Sequence, residues 1–437
     1  MQVGPTDIDQ RKTSVVLCID VEPDVREVAL SGEKDWLGFE QTFDLFNEVR
    51  PRLEDATGAR VRYSWFLRMD PQIKLAYGSS AFATTRYWRS VDKLRRAGDE
   101  IGLHVHAWRW LENNQCWVVD VADQAWVNHC VTSSFEAYEQ ALGHICRSIR
   151  FGDAWMNNDT VRLFQTLGAR FDLTLEPGTK SDGFSISQGQ PTGNVSELVD
   201  FPTGPYQPSK DDFRKEALTP SHDFYMLPIS CPALGRPLKQ NLLAKRPRKS
   251  RLVFEGFHDR TDCTVISGWA RCKSEPLNPV CVDIYDGENL IATVSANMFR
   301  PDLIAAGKGD GYHAFEFPVL NLLRDGDPHQ IHVRISGTGV SLSSTPQSIR
   351  CTHSVAATAD HLTLNLSYNS GVVCQALDQI LEDDRSDYLA MVVRSDAAIR
   401  RPQRVNLVTI LGHLASHPKA AQFVFEPPGD VIERLGV

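Results

Sequence analysis

Gly98-Asp99-Glu100-Ile101-Gly102-Leu103-His104-Val105-His106 is the stretch of this 437-residue chain that decides its fold class. The apolar run predicts a β-strand. On a strand, the side chains of His104 and His106 point to the same side because side chains alternate. One metal ion or one bound water could therefore contact both imidazoles. The alternative is that they are ordinary strand residues, one pair among thirteen histidines.

A second polar pair ends another apolar run, Val15-Val16-Leu17-Cys18-Ile19-Asp20-Val21-Glu22-Pro23. Asp20 and Glu22 are also two residues apart, and the proline ends the predicted strand. Two strands that each end in same-facing polar side chains predict a metal-centred hydrolytic site at the mouth of a barrel or open sheet.

Short apolar strands alternate with amphipathic helical segments over residues 13–178. This order predicts a parallel sheet covered by helices, either a barrel or a doubly wound sheet. The predicted strands span residues 15–20, 61–67, 100–106, 148–151 and 169–175, and the predicted helices span 39–53, 86–97 and 133–148.

The pattern changes after the basic run Lys245-Arg246-Pro247-Arg248-Lys249, which we interpret as a solvated linker. Short strands with turn signals such as Asp286-Gly287 then predict an all-β sandwich over residues 251–350. The α/β pattern resumes with predicted strands at 361–366, 388–393 and 422–425. We therefore expect one α/β domain formed by residues 1–245 and 354–437, with the sandwich inserted into it.

Composition excludes several classes of protein. The net charge of −9 argues against nucleic acid or anionic membranes as partners, and no apolar run is long enough to span a bilayer. Residues 1–14 lack the apolar segment of a secretory signal. The ten cysteines form no Cys-x-x-Cys pair, which predicts a reduced, cytoplasmic protein.

The order of motifs resembles the polysaccharide deacetylases of carbohydrate esterase family 4. The first motif is Ile19-Asp20-Val21-Glu22-Pro23, the second runs from Asp99 to Trp108, and the third is Ile149-Arg150-Phe151-Gly152-Asp153-Ala154-Trp155-Met156. The resemblance implies an irregular (β/α) barrel and a divalent metal ion, which we take to be zinc. The inserted sandwich resembles a module attached to glycan-modifying proteins, where carbohydrate binding through Trp269 or Tyr285 and plain scaffolding both stay open.

Within this resemblance, His104, His106 and Glu22 are expected to bind the metal. Asp20 would be the base that takes a proton from water, although the spacing allows the roles of Asp20 and Glu22 to be exchanged. Arg150 would orient the base through a charge-assisted hydrogen bond.

The remaining predicted site residues would donate a proton or contact the substrate. His222 is the candidate proton donor. Arg394 stands where the family usually has a histidine acid, and it cannot donate a proton at neutral pH, although it could bind an anionic sugar or phosphate. The predicted substrate contacts are Trp108, Trp155, Arg394 and Asp396.

The resemblance implies a hydrolase that removes acetyl groups from an N- or O-acetylated sugar or polysaccharide precursor in surface-polysaccharide synthesis. One alternative is a catalytically inactive protein of the same fold that binds carbohydrate or assists assembly. Another is a different His-x-His metal hydrolase, similar to the amidohydrolases. The resemblance to amidohydrolases is weaker, because in those enzymes the His-x-His pair usually lies on the first barrel strand. In this chain the first predicted strand carries Asp20 and Glu22 instead.

Overall fold

The computed structural model describes most of the chain. Its described residues are 12–26, 28–30, 36–113, 115–153, 155–177, 202–219, 223–232, 253–275, 280–296, 298–319, 323, 325–352, 361–382 and 387–437. The predicted proton donor His222 and the predicted linker at residues 245–249 lie outside these ranges.

The first part of the chain alternates strands with helices, as the sequence predicts. Its elements are β1 (Thr13–Val21), α1 (Leu37–Thr57), β2 (Ser64–Arg68), α2 (Pro71–Tyr77), α3 (Phe82–Arg86), α4 (Trp88–Ala97), β3 (Glu100–Val105), β4 (Trp108–Leu111), β5 (Cys116–Val119), α5 (Gln124–Leu142), β6 (Ser148–Phe151), α6 (Asn158–Thr166), β7 (Phe171–Asp172) and β8 (Tyr225–Met226).

Helix α5 differs most from its prediction, which placed it at residues 133–148. The Asp123 side chain accepts hydrogen bonds from the backbone N–H groups of Ala125 and Trp126, which caps the helix nine residues earlier than predicted. Gly143 ends it in the left-handed conformation, with φ of 78°.

The middle of the chain forms two antiparallel sheets. The elements are β9 (Phe254–Thr261), β10 (Val265–Cys272), β11 (Val280–Asp286), β12 (Asn289–Ala296), β13 (Met298–Phe299), α7 (Pro301–Ala305), β14 (Tyr312–Pro318), β15 (Asp325–Ile335) and β16 (Gln347–Thr352). The strand orders of the two sheets are β13-β14-β10-β9 and β12-β11-β15-β16. Apolar side chains from both sheets form one buried cluster between them.

Two features of this sandwich bear on the sequence predictions. Cys263 and Cys351 form a disulfide, so the expectation that all cysteines are reduced is wrong for this pair. The cytoplasmic location rested on that expectation and stays a prediction.

The rings of Trp269 and Tyr285 are each covered by a cation, Lys308 at 5.0 Å and Arg334 at 4.7 Å from the ring centroids.

The chain then returns to the α/β sheet. The closing elements are α8 (Ser370–Glu382), β17 (Tyr388–Arg394), a 3₁₀ helix (Ser395–Ile399), α9 (Arg401–Ser416), a second 3₁₀ helix (Ala420–Gln422), β18 (Phe423–Phe425) and α10 (Pro428–Leu435). The predicted strand at residues 361–366 is wrong, because His361 and Asn365 form only isolated bridges, the second of them with Val392, instead of a ladder.

The α/β sheet has the strand order β17-β1-β2-β3-β6-β7-β8, with β18 also beside β1. Irregular backbone joins its two edges: Ser230 N–H donates to the carbonyl of Ala390, and Leu364 N–H donates to the carbonyl of Ser230, both at 3.0 Å. Val392 N–H in turn donates to Leu364. The predicted irregular (β/α) barrel with an inserted all-β module is therefore confirmed.

The core of the barrel follows from its strands. All nine residues of β1 are buried, as expected for a parallel strand covered on both faces. Gly102 in β3 is needed for packing, since a Cβ there would lie 2.4 Å from the carbonyl oxygen of Ser148 on β6. The carboxyl ends of the parallel strands meet at one end of the barrel, where such folds place their functional side chains.

In the described ranges, none of the helices combines the length and apolar character that a bilayer crossing requires.

Candidate metal centre

Glu22, His104 and His106 come together just beyond or at the carboxyl ends of β1 and β3. His104 Nε2 lies 3.5 Å from Glu22 Oε1, and His106 Nε2 lies 3.6 Å from Glu22 Oε2. The two Nε2 atoms are 2.9 Å apart, and all three side chains are buried. The structure thus brings together the three residues that the sequence predicts as ligands, within the reach of one ion.

The outer hydrogen bonds of both imidazoles fix their tautomers. His104 Nδ1 lies 2.8 Å from the backbone carbonyl oxygen of Arg150. Because a carbonyl oxygen can only accept a hydrogen bond, Nδ1 must carry the proton. His106 Nδ1 lies 2.7 Å from the Asp153 carboxylate, which also needs a donor. In a neutral ring with the proton on Nδ1, Nε2 carries a lone pair, and the two Nε2 atoms face each other at 2.9 Å beside Glu22. A cation resolves this repulsion, so the donor set fits a divalent metal ion.

The charge states of these groups suit the same interpretation. Burial lowers the pKa of His106, and Asp153 opposes only part of that shift, which favours the neutral ring that a metal needs. Burial would raise the pKa of Glu22, but opposing influences, of which the charge of Arg394 is the largest, hold this pKa well below its usual range. Burial likewise opposes ionisation of Asp153, yet His106 lowers its pKa to about 2.

The loop after β6 is shaped around His106. A Cβ on Gly152 would lie 2.2 to 2.4 Å from three atoms of the His106 ring, so only glycine fits there. Asp153 follows with φ of 57°, a left-handed conformation that Asp tolerates better than most residues. The sequence analysis quoted this motif but assigned no role to Gly152 or Asp153.

Asp20 lies beside this group and is held by Arg150. Arg150 Nε donates to Asp20 Oδ2 at 3.0 Å, Nη1 donates to the carbonyl of Leu173, and Nη2 donates to Glu176 at 2.5 Å. Asp20 Oδ1 is buried and has no hydrogen-bond partner among the described residues. This oxygen can therefore accept a hydrogen bond from a bound molecule. Of the two carboxylates, Glu22 is the one whose oxygen lies together with the ligand nitrogens of His104 and His106, all within 4.8 Å of one another.

Sequence reasoning missed Arg68, the last residue of β2, and Asp70, which follows the strand. The Arg68 guanidinium is 1% exposed and contacts Asp70 at 2.5 Å and Glu22 Oε2 at 3.2 Å. Asp70 also accepts the backbone N–H of His106 at 3.3 Å. The signal was present, because Arg68 and Asp70 are a polar pair two residues apart at a strand end, as in the first motif.

Arg394 and Asp396 face the centre from β17 and the following 3₁₀ helix. Arg394 Nε lies 3.1 Å from Glu22 Oε1 and 3.4 Å from Asp396 Oδ1, without the geometry of a hydrogen bond. Asp396 is also paired with Arg400 at 3.0 Å. These contacts place both predicted residues at the site.

The two predicted tryptophans are buried. Trp108 is 5% exposed, with Nε1 at 3.1 Å from His106 Nδ1, and Trp155 is 1% exposed and packs against Phe151. Because His106 Nδ1 donates to Asp153, the Trp108 contact is not a hydrogen bond. Neither ring offers a face to solvent here, so their roles as substrate contacts stay predictions.

A second group of ligand-type atoms lies between α8 and α9. His413 Nε2 is 2.6 Å and His417 Nε2 is 3.5 Å from Asp378 Oδ1. However, His417 Nδ1 accepts the backbone N–H of Lys419 at 3.1 Å, so the proton of the neutral ring sits on Nε2. This group is therefore held by polar contacts between the histidines and Asp378, with the Nε2 atom of His417 protonated and so not ready to bind a metal.

Comparisons with known proteins concern the fold. A crystal structure from Mycobacterium smegmatis, described as a polysaccharide deacetylase, matches at 12% identity and a TM-score of 0.39, covering 98% of this chain and 92% of that chain. A protein from Parabacteroides distasonis, described as a glycoside hydrolase/deacetylase, matches at 15% identity and a TM-score of 0.31, covering 50% and 46%. A family 4 carbohydrate esterase from Streptomyces lividans, solved with acetate, matches at 14% identity and a TM-score of 0.23, covering 38% and 64%.

No family model matches this chain, and no curated protein matches it. The structural similarities assign no activity. The fold and the site together define the class: a (β/α) barrel with a buried Glu-His-His group at the carboxyl ends of its strands and an inserted β-sandwich. The structures that match include the deacetylase family whose motifs the sequence resembles.

Proposed function

We propose that this chain is a metal-dependent hydrolase that removes acetyl groups from an N- or O-acetylated sugar or polysaccharide precursor. The observation that carries the proposal is the pair of buried Nε2 atoms, 2.9 Å apart beside the Glu22 carboxylate, whose pKa is held well below its usual range. Two neutral imidazoles and one carboxylate match the donor set of catalytic zinc sites. The substrate class and a role in surface-polysaccharide synthesis come from the resemblance of the motifs.

In this proposal Glu22, His104 and His106 hold the ion. When bound, a zinc ion polarises a carbonyl group and lowers the pKa of water to near neutral. Asp20 accepts the proton of the attacking water through Oδ1, the buried oxygen without a described partner. Arg150 orients Asp20 by donating a hydrogen bond to Oδ2.

Arg68 and Asp153 are positioning residues. Arg68 fixes Glu22 from the side opposite Arg394, and its partner Asp70 holds the backbone of His106. Asp153 keeps the proton of His106 on Nδ1. A preorganised donor set of this kind keeps the ligands in place without an ion.

One observation favours the second candidate, an inactive carbohydrate-binding or assembly protein. Arg394 places a second guanidinium against Glu22, where the family pattern has a histidine acid. Because guanidinium cannot act as an acid at neutral pH, the leaving amine would lack this proton donor. Binding of sugar without release of acetate is the signature of that alternative.

The test is acetate release by zinc-loaded protein from N-acetylated chito-oligosaccharides and from an O-acetylated sugar. We expect native protein to release acetate and Asp20→Asn to lose about 100-fold or more in rate while keeping zinc, because only the base is removed. The exposed Asp159→Asn on α6 is the matched control and should behave as native. Sugar binding with no acetate release from either substrate would contradict the proposal.

A further inference from the structure

Three arginines contact the carboxylates of the candidate metal centre, and they differ in how their guanidinium groups are used. Arg68 and Arg150 each engage Nε, Nη1 and Nη2 with side chains or a backbone carbonyl. The shortest contacts of Arg394 with carboxylates are through Nε, and its two Nη groups have no hydrogen bond to any described residue. The outer fork of one guanidinium is therefore available.

The exposure of the three arginine side chains agrees with this difference in their hydrogen bonding. The side chain of Arg394 is 25% exposed, against 1% for Arg68 and 8% for Arg150. It lies at the end of β17, in register with Asp20 on β1. A molecule that approaches the buried centre from solvent would meet Arg394 before the two enclosed guanidinium groups.

The carboxylates that touch Arg394 do not use up its charge. Glu22 is shared with Arg68 at 3.2 Å, and Asp396 is shared with Arg400 at 3.0 Å. The shortest contact with each carboxylate is made by Nε, and neither carboxylate is hydrogen-bonded to the two Nη groups. The planar fork of a guanidinium matches the two oxygens of a carboxylate or phosphate group.

We propose that Arg394 binds an anionic group of the substrate, so that the acetylated sugar is acidic and carries a carboxylate or a phosphate. This inference rests on the proposed function, since it names the substrate class of the same site. It also gives a reason for an arginine at this position: the side chain selects the substrate and does not protonate the leaving group.

The inference is tested by measuring how tightly the full chain binds three acetylated sugars that differ in charge, by calorimetry or ligand-detected NMR. A metal chelator in the buffer prevents hydrolysis, so that only binding is measured. The probes are neutral N-acetylglucosamine, N-acetylglucosamine 1-phosphate and the carboxylate N-acetylmuramic acid, and the last two separate the phosphate from the carboxylate. We expect at least one anionic sugar to bind about tenfold or more tightly than the neutral one, with the difference shrinking at high salt.

Variants assign the effect to Arg394. We expect R394Q to remove the preference for the anion, and R394K to keep a small part of it, because lysine keeps the charge but lacks the fork. R162Q, which removes an exposed arginine from α6, is the control for overall charge and should keep the full preference. Equal binding of neutral and anionic sugars by native protein, or a preference that survives in R394Q, would overturn the inference.

The inference and the proposed function fail separately. If native protein releases acetate from neutral oligosaccharides and R394Q does so equally well, the hydrolase proposal holds and the anionic substrate is wrong. If no acetate is released from any sugar but anion binding depends on Arg394, the anion site holds and the hydrolase proposal is wrong.

Discussion

At the scale of single residues, the outer partners of His104 and His106 decide what the pair can do. A backbone carbonyl and the Asp153 carboxylate hold both protons on Nδ1, which leaves the two Nε2 atoms free to bind. Without these partners, each ring could turn or change tautomer, and the His-x-His spacing alone would define no site.

Gly152→Ala tests how closely the loop after β6 is fitted to His106. The added methyl would overlap three atoms of the imidazole, so the ring must move. We expect zinc affinity, measured by competition with a chromophoric chelator, to fall by about 10- to 100-fold with the fold retained. Gly412→Ala is the matched control, because its Cβ would meet only a side-chain nitrogen of Arg52 at 3.8 Å. Equal zinc affinity in the two variants would show that the loop does not position His106.

Arg68→Met tests the buried charge that holds Glu22. Removing the guanidinium would leave Asp70 and Glu22 as buried carboxylates without this partner. We expect the free energy of unfolding of the metal-free protein in urea to fall by about 3–5 kcal/mol. The surface variant Arg162→Met should change it little. A loss for Arg68→Met that is no larger than for this control would contradict the role given to Arg68.

At the scale of elements, β7 carries a carboxyl group deep in the barrel. Asp172 is fully buried, and Thr174 donates both its backbone N–H and its hydroxyl to it. Burial outweighs these hydrogen bonds and raises the pKa of Asp172 from 3.8 to about 7. The folded protein therefore keeps a proton here that the unfolded chain releases at lower pH.

Asp172→Asn makes this visible as a pH dependence. Because the folded pKa is raised, the stability that the protonated group provides is complete below about pH 4 and is lost as the pH rises to about 7. Asparagine cannot ionise, so we expect the variant to match native protein near pH 4 and to exceed it by about 2–4 kcal/mol at pH 8. Urea unfolding at both pH values measures this, and Asp159→Asn is the exposed control. A difference that is the same at both pH values would contradict the raised pKa.

Part of the site could be predicted from the sequence, because the geometry within one strand is local. The spacing of two residues predicts that His104 and His106 point to the same side of β3. The end of β1 likewise places Asp20 and Glu22 at the edge of the sheet. The partners across strands, Arg68 among them, could not be paired before the strand order was known. The start of α5 does not follow from apolar periodicity, because it is set by the polar N-cap residue Asp123.

At the scale of the whole molecule, the sandwich has its own apolar core and its own disulfide. Cys263 and Cys351 are 88 residues apart in sequence, so the bond closes a long loop. The barrel is closed by separate hydrogen bonds around Ser230 and Ala390. The candidate metal centre depends on the barrel and contains no residue of the sandwich.

Replacing both Cys263 and Cys351 by serine should therefore separate the two units. We expect the double variant to lose about 2–4 kcal/mol of stability in the sandwich, seen as a lower melting transition in calorimetry. Zinc affinity should stay within about twofold of the native value, because distant sites act independently. A large loss of zinc binding in this variant would contradict the assignment of the site to the barrel alone.

Anomalous diffraction from crystals grown with zinc would show whether Glu22, His104 and His106 bind one metal ion. We predict one anomalous peak at about 2.0–2.2 Å from Nε2 of both histidines and from a carboxylate oxygen of Glu22. A zinc-containing crystal with no peak at this point would mean that these three residues do not form a metal site.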